Sequence, residues 1–62
     1  MKIVRIQKAP ASAEANYVTL TESGQLIDGY LELSEIHDAY KYELKNGLIR
    51  LKKETAITYR PK

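Results

Sequence analysis

Cysteine, phenylalanine and tryptophan are absent from this 62-residue chain. Without cysteine, disulfides and thiolate zinc sites are excluded. Histidine occurs once, as His37, and sits beside Asp38. Neighbours in sequence diverge on a helix, so the two form no acid–base pair, and His37 reads as an exposed or capping residue. The three glycines stand far apart at 24, 29 and 47 and reproduce no phosphate-binding loop. No Gly-x-Ser-x-Gly elbow occurs, and the carboxylates lack the spacing of an EF-hand. The expectation is therefore no enzyme, no metal, no cofactor and no small-molecule substrate.

Long apolar runs are missing too, and none reaches the roughly 18 residues that suggest a membrane span. Met1–Lys8 interleaves Lys2, Arg5 and Lys8 with Ile3, Val4 and Ile6, and no continuous apolar segment follows. That is unlike a signal peptide. The expected setting is the cytoplasm, or a virion assembled in it, with no membrane partner.

What is present amounts to one domain over residues 1–62. Six Ile, seven Leu and two Val supply the large aliphatic side chains, and five Tyr are the sole aromatics. A domain of about 60 residues hides only roughly 60% of the surface its unfolded chain exposes. Without disulfide or metal, such a scaffold commonly leans on a neighbour. The expected partners are larger protein subunits, or further copies of the chain.

Net charge is +2, but it is unevenly laid out. Residues 1–8 carry three cations. Residues 14–43 carry seven acids against Lys41, and residues 45–62 carry six cations against Glu54. One reading is mutual neutralisation of basic ends and acidic middle. The other is a basic face of Lys2, Arg5, Lys8, Arg50, Lys52, Lys53 and Arg60 contacting nucleic acid through phosphates.

Lys2 to Gln7 alternates like a strand, with Val4 and Ile6 on one face and Ile3 and Arg5 on the other. After the Ala9-Pro10-Ala11-Ser12-Ala13 break, Tyr17 to Thr21 alternates again, and Glu22-Ser23-Gly24 reads as a turn. Asp28-Gly29 between Leu26-Ile27 and Tyr30-Leu31 predicts a tight hairpin of type I′. That pairing places Leu26, Leu31 and Leu33 in the core.

Two readings compete for Ser34 to Lys53. As a helix, Ser34 is the N-cap, and Ile36, Ala39, Tyr40 and Leu44 form the apolar stripe. Gly47 then stops the helix in the left-handed conformation, and Glu43 intrudes on the stripe. As a hairpin turning at Asn46-Gly47, Tyr40, Tyr42, Leu44, Ile49 and Leu51 share a face and Glu43 meets Arg50. Leu48 to Lys52 is a strand in both, and Ala56 to Tyr59 a last strand. The helix reading is preferred. It predicts an α+β fold: a small antiparallel sheet of short strands with one helix near residues 35–45. The alternative is an all-β, SH3-like small barrel.

The tyrosines serve either as core fillers or as recognition residues, since exposed aromatics beside Lys and Arg also stack on bases. A basic opening strand (Met1-Lys2-Ile3-Val4-Arg5-Ile6), then Leu33-Ser34-Glu35, Ala39 and Leu44-Lys45-Asn46-Gly47-Leu48-Ile49, resembles short head and tail accessory proteins of tailed bacteriophages. The resemblance covers about half the chain. It implies a structural virion component that docks on larger capsid, connector or tail subunits, and it carries over no catalytic residue. A docking patch is expected at Tyr30, Tyr42 and Leu48.

Overall fold

The computed structural model describes residues 1–10 and 14–55. Four strands and two helices follow one another: β1 (Lys2–Lys8), β2 (Tyr17–Leu20), β3 (Leu26–Tyr30), α1 (Leu33–Ala39), α2 (Lys41–Lys45) and β4 (Ile49–Lys53). The strands form one sheet in the order β3-β2-β1-β4. The architecture is a small α+β domain with an open sheet, and the barrel alternative is overturned.

The sheet is mixed rather than antiparallel. β2 is antiparallel to both β1 and β3, whereas β4 runs parallel to β1, so β1, β3 and β4 all point the same way. The cause is the connection from β3 to β4. Two helices carry the chain back along the sheet, so the next strand enters in the direction of the last one, as a parallel crossover requires.

β1 obeys its alternation: Val4 and Ile6 are buried and Ile3 and Arg5 half-buried. β2 adds Val18 and Leu20, and the core is completed by Ile36 of α1 and Ile49 of β4. The pairings Ile6↔Thr19, Thr19↔Asp28 and Val4↔Leu51 put Val4, Ile6, Thr19, Asp28 and Leu51 on one face of the sheet. The helices lie on that face, where Tyr40 and Glu35 are near enough to act on the Tyr30 phenol electrostatically. Arg5, Gln7, Val18 and Leu20 belong to the opposite face by the same register.

The turn at Glu22-Ser23-Gly24 forms as expected: Gly24 takes φ +97°, and Thr21 N–H donates to Gln25 O at 2.8 Å. The Asp28-Gly29 hairpin does not form, because β3 runs straight through both residues. Val18 pairs with Gly29 and Tyr17 with Tyr30, and an irregularity at Ile27 lets Leu20 face Leu26. A type I′ turn needs positive φ at both central residues. Gly29 lacks it and instead permits close approach, since a β-carbon there would lie 3.0 Å from that of Ala15. Leu26 and Leu31 are consequently 52% and 55% exposed and Leu33 half-buried, which corrects their assignment to the core.

The single helix near 35–45 is two. At Tyr40 the backbone leaves helical dihedrals (φ −108°, ψ 20°), yet its N–H reaches Ile36 O at 3.1 Å and its carbonyl accepts from Leu44 N–H at 2.9 Å. The break re-phases the stripe. Ile36 is buried, Tyr40, Glu43 and Leu44 are half-buried, and Ala39 is exposed. Ser34 is not the cap either. Glu32 holds that place, and the Glu35 carboxylate three residues on accepts from the Glu32 N–H at 2.9 Å and the Leu31 N–H at 3.1 Å. Gly47 ends α2 at φ +67°, as expected of a left-handed stop, and this rules out the hairpin at Asn46-Gly47. The strand expected at Ala56 to Tyr59 lies outside the described residues.

Candidate interaction surface

The alternation of β1 and β4 and the stop at Gly47 bring the start of both strands up beside α2. Lys2 N–H donates to Leu48 O at 3.1 Å, and Leu48 N–H donates to Glu43 O at 2.9 Å. These two bonds fix Leu48 at the junction of helix and sheet, with its side chain half in solvent at 50% exposure. A groove of about 480 Å³ opens there, floored by Val4 and Ile49 and walled by Ile27, Tyr40 and Leu48. Lys2 and Glu43 supply opposite charges at its margin.

The three expected docking residues divide. Leu48 lines the groove, Tyr42 of α2 is 70% exposed, and Tyr30 is half-buried against the helices. Burial and the neighbouring Tyr40, Asp28 and Glu35 hold the Tyr30 phenol above its ordinary pKa. Ile27 and Tyr40 were missed as surface candidates. Tyr40 fits the helical stripe equally well as a core residue, and Ile27 faces the groove because of the irregularity in β3. No local pattern in the sequence marks either.

The seven cations proposed for a nucleic-acid face do not converge on one face. Lys2, Lys8, Arg50, Lys52 and Lys53 are exposed, and Arg60 lies outside the described residues. Register sends Lys53 to the helical face with Ile6, and Lys52 to the opposite face with Arg5. Arg5 is engaged: its Nε donates to Glu54 Oε1 at 2.9 Å. The Gln7 amide donates to the same oxygen at 2.7 Å, and Lys52 Nζ stands 3.8 Å from the other. The Gln7 hydrogen bond, then the bond and charge of Arg5, with Lys52 adding to them, hold the Glu54 carboxyl below its usual range against an opposing partial desolvation. Both ion pairs are with Glu54, the acid of the basic C-terminal segment itself.

His37 is exposed in the last turn of α1. Among the described residues no cluster of three or more His, Cys, Asp or Glu could hold a metal ion. Nor, among them, is any helix long and apolar enough to cross a membrane. Comparison with protein-family models, with curated protein sequences and with solved structures found no match to this chain.

Proposed function

We propose that this chain is a non-enzymatic interaction protein that docks on larger protein subunits through the groove between α2 and the sheet. The supporting observation is the exposure of Ile27 and Leu48, at 44% and 50%, on either side of an apolar floor. Burying such a patch yields about 25 cal/mol per Å² of apolar area removed from water. Lys2 and Glu43 at the margin orient a partner without filling its footprint. The resemblance to tailed-phage accessory proteins suits this reading, with capsid, connector or tail subunits as the larger partner and the cytoplasm or virion as the setting.

A photo-cross-linking residue at Leu48, compared with one at the exposed turn residue Ser23, tests it during assembly in producing cells. A discrete adduct to one larger subunit from position 48 alone is the expected result. Identical patterns from both positions would remove the groove as the docking site.

A second reading, a nucleic-acid-binding module, is favoured by the exposure of Arg50, Lys52 and Lys53 on one edge strand. It requires log affinity for an oligonucleotide to fall with log salt, by about 0.9 per phosphate neutralised on duplex DNA. A flat salt response removes it.

A further inference from the structure

The two outer edges of the sheet differ in chemistry and agree in direction. β3 forms one edge and is exposed from Leu26 through Gly29; β4 forms the other and exposes Arg50, Lys52 and Lys53. Among the described residues neither edge has a further strand partner. Unpaired edges of this kind are templates for pairing with another chain. From Glu22 to Asp38 the chain around β3 carries five acids and no Lys or Arg, whereas β4 carries three cations and no acid.

We propose that copies of this chain associate edge to edge, β3 of one protomer lying parallel to β4 of the next. The geometry that points there is a single row of paired residues. Asp28 pairs with Thr19, Thr19 with Ile6, and Ile6 with Lys53, so the row crosses the whole sheet with an acid at one end and a cation at the other. A second protomer displaced across the strands brings its Lys53 beside Asp28 of the first. Strand direction matches, because β3 and β4 point the same way. Both helical layers then lie on one side.

The neighbouring row repeats the pattern. Leu26, Leu20, Arg5 and Lys52 lie in register, so the Lys52 stem meets the exposed Leu26 of the adjoining copy. Asp28 offers its Oδ2, since Oδ1 already accepts from the Gly29 N–H at 2.8 Å. Lys53 makes no ion pair among the described residues.

Charge also selects against the two symmetric arrangements. Pairing β4 with β4 opposes three cations to three, and pairing β3 with β3 brings together the two acidic margins; like charges opposed across strands destabilise. Lysine on an edge strand ordinarily blocks association. Here it blocks β4 against itself and leaves β3 as its complement. The contact is head to tail and regenerates both edges, which builds rings or open stacks rather than closed dimers. This inference needs only the two edges and does not rest on the groove.

A charge exchange tests it, read by sedimentation velocity over a concentration series at low and molar salt, with circular dichroism to establish folding. The wild-type chain is expected to grow beyond a dimer with concentration and to dissociate in molar salt. Asp28→Lys and Lys53→Asp, each alone, should weaken association about tenfold. An equimolar mixture of the two variants should regain it, because the intact edge of each complements the other and the reversed edges complement one another. A wild type that stays monomeric overturns the proposal, as does a mixture no better associated than its components. So does a salt-resistant dimer that Leu48→Lys abolishes and the edge variants leave intact; that outcome retains the groove as an interface while removing the edges.

Discussion

Arg5 and Glu54 lie 49 residues apart in sequence and 2.9 Å apart in space, and their ion pair ties β1 to the residue that follows β4. Glu54 N–H also donates to Ile6 O at 2.8 Å, so side chain and backbone close the same junction.

Glu54 is held below the usual carboxylate range by Gln7, Arg5 and Lys52, so the folded state binds its proton less tightly than the unfolded chain does. A lowered pKa contributes stability above the unfolded value, near 4.3 for Glu, and that contribution is lost as pH falls through the folded value. Glu54→Gln is expected to be less stable than wild type at pH 7, with the gap narrowing as the medium is acidified below about pH 4. Urea unfolding midpoints across pH measure this. A gap that stays constant in acid would separate the stabilisation from the carboxylate charge.

Ile36 is the one fully buried apolar side chain that the helices contribute. Ile36→Ala removes three methyl or methylene groups and leaves a void beneath α1, at a cost of about 3 kcal/mol. In so small a domain that should abolish most of the cooperative transition on thermal melting. An unfolding free energy lowered by less than about 1 kcal/mol would mean that the helices do not anchor through this residue.

A β-carbon at Gly47 would meet nothing within 4 Å, and the residue takes φ +67°. The cost of Gly47→Ala is therefore conformational alone, roughly 1–2 kcal/mol for an L-residue held in the left-handed region. Asn tolerates that region better, so Gly47→Asn should recover part of the loss in a denaturant titration. Equal stability of the alanine and glycine proteins would contradict the strained stop.

Tyr30 holds its proton above the ordinary phenol value. Its raised pKa contributes stability that is complete below about pH 10 and lost as pH rises through the folded value. Ultraviolet titration of the native protein is expected to show a late-ionising tyrosine component that disappears in Tyr30→Phe. Survival of the late component in that variant would assign it to another tyrosine.

Where local pattern and long-range pairing agree, the structure was legible in the residues. The alternation of Val4 and Ile6, the turn at Glu22-Ser23-Gly24, the stop at Gly47 and the strand after it all rest on signals within a few positions. Asp28-Gly29 shows the converse. The dipeptide is a strong turn signal in isolation, but four paired positions against β2 and the close approach to Ala15 outweigh a two-residue preference. The docking residues behave likewise: Leu48 is exposed because the bonds at Lys2 and Glu43 hold it at a junction, while Ile27 enters the groove through the irregularity in its strand.

By itself, the sequence determined a thin-cored domain without thiols, with cations at its two ends and acids between, and preferred the α+β class to a small barrel. Tertiary structure decided the rest. Placing β4 parallel to β1 set the basic edge opposite the acidic one and lined up Asp28 with Lys53 across the sheet. Side-chain alternation is a property of each strand, but which strands neighbour one another, and so which charges end each row, depends on how the two helices return the chain.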